Sequence, residues 1–157
     1  MSDNNEYRYR LTRTWDKTKE LVGLIMFNPS KANALKTDDT IMNITNYLID
    51  HDYGGVDIVN LFSYMSINKS GVTNRDQTHE RLNDNYILRV AKKANTLIIA
   101  WGPNEEEQVL RKREVENLLS PYAGKLICFE DEDGKSPRHP LHLSDKWSLV
   151  QYSFRYI

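Results

Sequence analysis

Three apolar runs, each followed by a segment with helical spacing, constrain the fold of this chain more than any other feature. The runs are ELVGLIMF (20–27), VDIVNLF (56–62) and TLIIAWG (96–102). The first is apolar without a break, which is typical of a strand buried on both faces of a parallel sheet. Strands that alternate with helices indicate an α/β domain. The order therefore predicts a three-layer α/β/α sandwich with a mainly parallel central sheet.

The remaining segments complete this plan. Helical spacing begins near Asp38 and ends at the glycines of DYGG (52–55), returns from Leu82 to Ala94, and continues in NEEEQVLRKREVENLL (104–119). The alternating segment YRYRLTRT (7–14) predicts a strand with one solvated face, paired as a hairpin with the next strand. GKLICF (124–129) predicts a further strand, and the tail WSLVQYSFRYI (147–157) predicts a last strand at the sheet edge.

Length and composition bound the class of protein. A chain of 157 residues is the size of one domain, 1–157, and a net charge of −1 with a pI of about 6.4 does not favour a general nucleic-acid binder. No apolar run is long enough to cross a membrane, and the polar start MSDNNEYRYR does not read as a signal peptide, so we expect a cytoplasmic protein without a membrane partner. The single cysteine, Cys128, is predicted to be a buried hydrophobic residue. No spacing suggests a metal site or a bound cofactor.

Polar residues follow the predicted buried strands at the point where each strand ends. Because the carboxyl ends of parallel strands share one edge of a sheet, and ligands bind beyond that edge, these residues are expected to face one another. Asn28 is the candidate for a catalytic role after the first strand, and Asn60 offers a planar amide that suits the edge of a nucleobase. The predicted ligand-binding residues are Pro29, Ser30, Asp38, Asp39, Thr40, Asn60, Phe62, Trp101, Gly102 and Arg138.

Several of these residues also have an explanation that needs no ligand. Asn28 and Pro29 form turns readily, and the acids at Asp38 and Asp39 are suited to capping a helix. Trp101 fits either a stacking surface or the core. The basic runs at Arg8–Arg13 and Arg111–Arg113 are most simply interpreted as solvated charge.

His139 is the second candidate for a catalytic role. It stands in SPRHPLHL (136–143), where the flanking Pro137 and Pro140 restrict the loop. Histidine is suited to donating a hydrogen bond to a developing anion or to moving a proton near neutral pH. The sequence therefore places a potential proton donor at the predicted edge.

Four ordered motifs are similar to those of a bacterial and phage family known only as a domain of unknown function. They are FNPSKANALKTDDTI, YGGVDIVNLFSYMS, LIIAWG and GKSPRHPLHL, and the resemblance covers about residues 8–145. This resemblance implies no particular activity.

The same motifs resemble, more distantly, the uracil-DNA glycosylase superfamily. That resemblance implies a three-layer α/β/α fold, with Asn28 where a residue orients water, Asn60 where the base edge is read, and His139 facing the base carbonyl. The expected function is binding of a nucleobase, nucleotide or single-stranded nucleic acid, with hydrolysis of an N-glycosidic bond. The alternative is a non-catalytic phage or defence accessory protein that sequesters a nucleotide or binds a protein partner.

Overall fold

The computed structural model describes residues 7–29, 38–65 and 77–157, and it confirms the predicted α/β class. Within these ranges six strands and three α-helices occur. In chain order they are β1 (Leu11–Thr14), β2 (Leu21–Met26), α1 (Asp39–Asp50), β3 (Gly55–Asn60), α2 (Gln77–Lys93), β4 (Leu97–Ile99), α3 (Val109–Leu119), β5 (Leu126–Glu130) and β6 (Ser148–Gln151). None of the helices described is long and apolar enough to cross a membrane.

The described strands form one mixed sheet in the order β1-β3-β2-β4-β5-β6. The pairs β2–β3, β2–β4 and β4–β5 are parallel, whereas β1 and β6 lie antiparallel at the two edges. The strand with the unbroken apolar run, β2, has a neighbour on each side, as its sequence predicts. The last strand lies at an edge, which is also confirmed.

The predicted hairpin between the first two strands is wrong. β1 pairs with β3 in the register Leu11↔Ile58, and β3 separates it from β2. The central position of β2 explains the difference, because both of its hydrogen-bonding edges are taken by the parallel strands β3 and β4. β1, the strand predicted to have a solvated face, therefore lies at the edge of the sheet.

Successive side chains of the sheet contribute to two separate hydrophobic clusters. Leu24 and Ile58 belong to a cluster with α1, whereas Ile25 and Val59 belong to a cluster with α2 and α3. This alternation follows from the period of two in a strand. It shows that α1 covers one face of the sheet and that α2 and α3 cover the other.

The end of α1 differs from the prediction that glycine closes the helix. Asp52, not a glycine, adopts the left-handed conformation, with φ of 67°. Gly54 is needed for another reason: a Cβ atom at this position would lie 2.0 Å from the backbone oxygen of Asp16. The glycine therefore permits close approach of the turn before β2.

The basic run in α3 was interpreted as solvated, and this is wrong for Arg111 and Lys112, which are each 1% exposed. Arg111 forms an ion pair with Asp84 at 2.7 Å and donates from Nε to the backbone oxygen of Leu61 at 2.7 Å. Arg8, also expected at the surface, is only 3% exposed. For Arg111, an acid and a carbonyl from distant segments make the burial possible, as buried charge generally requires.

Cys128 is buried in β5, as predicted, with 1% exposure. Burial raises the pKa of its thiol, so the reactive thiolate is scarce near neutral pH. We expect native protein to resist a thiol reagent at pH 8 and to react fully once guanidinium unfolds it. The measurement is the rate of absorbance change with a chromogenic disulfide reagent. Equal rates in the native and unfolded states would contradict the buried placement.

Candidate functional site at the carboxyl edge of the sheet

The carboxyl ends of β2, β3 and β4 meet at one edge of the sheet. Met26 is paired with Asn60, and backbone pairing continues beyond the strands, where the Phe62 amide donates to the Phe27 oxygen at 3.1 Å. On the other side of β2, the Ala100 amide donates to the Ile25 oxygen at 2.7 Å. The segments that carry Asn28, Asn60 and Gly102 therefore leave the sheet side by side, as the sequence predicted.

The connections on the two sides of the strand pair β2 and β4 run to opposite faces of the sheet. The chain leaves β2 towards α1 on one face, and it leaves β4 towards α3 on the opposite face. Adjacent parallel strands whose connections diverge in this way define a topological switch point, where α/β proteins commonly bind ligands. Asn28 and Gly102 follow the two strands that flank this point.

His139 lies next to Gly102. A Cβ atom added to Gly102 would lie 3.9 Å from the Cβ of His139. Gly102 has φ of 101°, a backbone conformation that is strained for any residue with a Cβ atom. Glycine therefore allows the turn here. The loop after β5 thus brings His139 next to the chain that leaves β4.

The imidazole of His139 is held by its own loop. Its Nδ1 accepts a hydrogen bond from the backbone N–H of Leu141 at 3.1 Å. The Leu141 oxygen in turn accepts from Nδ2 of Asn43 in α1 at 2.8 Å. In the neutral ring the proton therefore resides on Nε2, which is then a hydrogen-bond donor.

Asn60 has a buried side chain at the end of β3, with 2% exposure. By strand alternation it lies on the α1 face, in step with Val56 and Ile58. Its Oδ1 is buried and has no hydrogen-bond partner among the residues that the structure describes. An unpaired buried acceptor costs roughly 1–3 kcal/mol, so the position calls for a donor from elsewhere.

The backbone of this strand end is fixed from the opposite face. Nδ2 of Asn83 in α2 donates to the oxygens of Asn60 at 2.9 Å and Leu61 at 3.2 Å. Arg111 binds the same Leu61 oxygen. Asn83 is not among the predicted residues, and the sequence indicates only solvated charge at Arg111. The available signals are a polar side chain on the inner face of α2 and the charged run of α3.

The start of α1 lies at the same edge. Asp38 caps the helix, accepting from the Ile41 amide at 2.9 Å, while Asp39 is exposed in the first turn and Thr40 is partly buried. Asp38 also attracts Arg8, whose backbone amide donates to the Ser63 oxygen at 2.7 Å just beyond β3. Burial lowers the pKa of the Arg8 guanidinium, and the Asp38 carboxylate opposes this effect. The capping explanation for Asp38 is therefore realised together with an electrostatic one.

The other predicted residues occupy varied positions. Asn28 is partly buried, Pro29 and Phe62 are buried, and Phe62 packs against Phe27 with ring centroids 5.4 Å apart. Ser30 lies outside the described residues. Among the segments described, no group of three or more His, Cys, Asp or Glu side chains is arranged to hold a metal ion.

Two predicted residues contact other side chains of the fold. Trp101 lies in the core on the α2–α3 face, 2% exposed and edge-on to Tyr152. The guanidinium of Arg138 lies over Trp147, and its Nε is 3.5 Å from Asp131 Oδ2. Trp101 is therefore a core residue rather than a stacking surface for a ligand.

These features define an α/β protein with polar residues grouped at the carboxyl edge of a mixed sheet. Over residues 8–141 the chain matches the family described as Protein of unknown function (DUF1643), and it belongs to that family. The predicted membership of a family of unknown function is thereby confirmed. Comparison with curated proteins and with solved structures found no match.

Proposed function

We propose that this protein is a uracil-DNA-glycosylase-like domain that binds a nucleobase or nucleotide at the carboxyl edge and hydrolyses an N-glycosidic bond. The observation that carries the proposal is the buried, unpartnered Oδ1 of Asn60 at the carboxyl end of β3, the strand next to β2 of the switch point. A primary amide presents an acceptor and donors in one plane, the pattern that the edge of a nucleobase complements. A ligand N–H would satisfy the acceptor.

His139 supplies the second element of the proposed chemistry. When an N-glycosidic bond breaks with both electrons leaving on the base, negative charge develops on the base carbonyl. A neutral imidazole with its proton on Nε2 stabilises that charge by donating a hydrogen bond, and it need not transfer the proton. The hydrogen bond from Leu141 to Nδ1 supports this tautomer.

Asn28 would orient the attacking water. An amide positions a water molecule but does not accept its proton at neutral pH, so departure of the stabilised base, rather than general base catalysis, would drive the reaction. The water would add to the sugar carbon that the base has left, and its proton would pass to the departed base anion or to solvent. The finer fold forms part of the proposal: a three-layer α/β/α sandwich with a mainly parallel sheet. The packing of α1 against one face of the sheet and of α2 and α3 against the other supports it.

The second candidate is a non-catalytic protein that sequesters a nucleotide. The amide of Asn28 favours it, because an amide, unlike a carboxylate, does not take a proton from water. The near-neutral net charge, in either case, favours a nucleotide or a short single strand over duplex DNA, because neutralising many phosphates requires a basic surface.

The test is incubation with single-stranded DNA that contains uracil or modified bases, followed by alkaline cleavage at abasic sites. We expect abasic sites to form with the wild type, and His139→Ala to slow their formation about 100-fold. Asn28→Ala should also slow it. The matched control is His142→Ala, an exposed histidine in the same loop, which should retain the wild-type rate.

Two other results would decide against the enzyme. Tight binding of a base or nucleotide without any abasic sites would leave the sequestering protein as the function. If no ligand shifts the melting temperature of the wild type, the polar strand ends serve only the fold, and both candidate functions fail.

A further inference from the structure

A cleft opens between the segment after β4 and the segment after β5. Its volume is about 490 Å³, within the roughly 300–1,000 Å³ of small-ligand pockets, and Arg155 from the tail after β6 forms part of its wall. Pro103 of the lining directly follows Gly102, and Ser136 precedes His139 by three residues. The cleft is thus continuous along the chain with the Gly102–His139 contact.

The guanidinium of Arg155 is held in a fixed position in this cleft. Its Nη1 donates to the Ser136 oxygen at 2.5 Å and to Glu105 Oε1 at 3.3 Å, and its Nη2 donates to Ser136 Oγ at 3.0 Å. The Tyr152 ring lies 5.9 Å from its central carbon. A guanidinium has further N–H groups beyond these three bonds, and it is always charged.

Lys135, next to Ser136 in the lining, adds a second positive charge. Its backbone amide donates to Asp131 Oδ1 at 2.9 Å, which fixes the main chain, and its side chain is exposed. Among the described residues the ammonium group of Lys135 forms no ion pair. The cleft therefore combines a planar fork of donors with a mobile point charge, the pair of groups that proteins use to bind phosphate.

We infer that this cleft is a phosphate subsite for the ligand of the candidate site, so that the ligand is a nucleotide rather than a free base; the inference rests on the proposed function. The phosphate is that of a free nucleoside monophosphate or of a short single strand. Both sources share the chemistry that Arg155 and Lys135 recognise.

The carboxylate of Glu105 opposes anion binding in the cleft, which provides a further test. Its side chain is 68% exposed and contacts Arg155, so an incoming phosphate competes with it for the guanidinium. Removing its charge with Glu105→Gln should therefore tighten nucleotide binding severalfold. A cleft unrelated to phosphate would show no such gain.

The experiment measures dissociation constants for the nucleosides, nucleoside 5′-monophosphates and trinucleotides of uracil, cytosine, adenine and guanine. We expect a phosphate-bearing ligand to bind the wild type at least tenfold more tightly than its nucleoside, and Lys135→Gln to remove most of that difference. Lys17→Gln is the control, since Lys17 is exposed in the turn before β2, at the opposite edge of the sheet. It should change nothing.

The outcomes separate the inference from the proposed function. Preference for the monophosphate identifies a free nucleotide, and preference for the trinucleotide identifies a strand. If nucleosides and nucleotides bind equally and Lys135→Gln has no effect, the phosphate subsite is overturned while the base pocket stands. If none of these ligands binds, the inference and the proposed function are both overturned.

Discussion

Glu116→Ala is expected to destabilise the protein by about 3 kcal/mol or more, because three hydrogen-bond donors lose their acceptor at once. The Glu116 carboxylate is fully buried in α3 and accepts from the Tyr152 hydroxyl at 2.6 Å and from the amides of Arg155 and Tyr156 at 2.9 and 2.8 Å. Burial raises the pKa of the Tyr152 phenol well above its ordinary value, and the bond to Glu116 adds to the effect. Both effects favour the protonated phenol, the form that donates to Glu116.

The measurement is thermal unfolding followed by circular dichroism. For a domain of this size the loss corresponds to a fall in Tm of about 6–12 °C. Glu106→Ala, an exposed acid in the segment before α3, is the control and should change the free energy of unfolding by less than about 0.5 kcal/mol. A fall in Tm of Glu116→Ala no larger than that of the control would contradict the anchoring role.

This anchor also connects the tail to the candidate site. Glu116 fixes the backbone of Arg155, and the Arg155 side chain binds the oxygen of Ser136 in the loop that carries His139. Loss of the carboxylate should therefore disturb the position of His139 as well as the stability of the tail. In a mild variant such as Glu116→Gln, ligand binding should weaken at temperatures well below unfolding.

The sequence predicted the elements and the strand ends because these depend on local pattern. The unbroken apolar run of β2 indicates a strand that is buried on both faces of the sheet. An amide that follows such a run lies at the end of the strand, at the edge of the sheet. The convergence of Asn28, Asn60 and Gly102 then follows from parallel pairing alone.

The partners of buried polar groups could not be predicted in the same way. Glu116 and Tyr152 are 36 residues apart, and Arg111 and Leu61 are 50 apart, so no local spacing relates them. The alternation in 7–14 likewise describes one solvated face but does not choose between β2 and β3 as the neighbour. The charged run of α3 is typical of a solvated helix surface when the sequence is considered alone, because the acid that pairs with Arg111 is distant in sequence.

Asn60→Leu separates a functional amide from a structural one. Leucine has a similar size and no polar atoms, so the substitution removes the unpartnered Oδ1 from a position that is 2% exposed. We expect stability to be unchanged or to rise by about 1 kcal/mol, because the desolvation cost of the acceptor disappears. Turnover of a nucleobase substrate, as kcat/KM, should fall roughly 10³-fold, since a site built to hydrogen-bond its ligand discriminates strongly when that bond is lost.

Asn83→Leu is the matched control for this substitution. Asn83 is equally buried, but its Nδ2 donates to the oxygens of Asn60 and Leu61, so its loss should lower the free energy of unfolding by about 1–3 kcal/mol. Opposite signs for the two leucine variants, measured by denaturant unfolding, would identify Asn60 as a residue whose polar group serves a ligand. If Asn60→Leu instead destabilises the protein as much as Asn83→Leu and leaves ligand binding unchanged, the Asn60 amide serves the fold. Removing a side-chain group lowers the free energy of unfolding only when that group stabilises the native state.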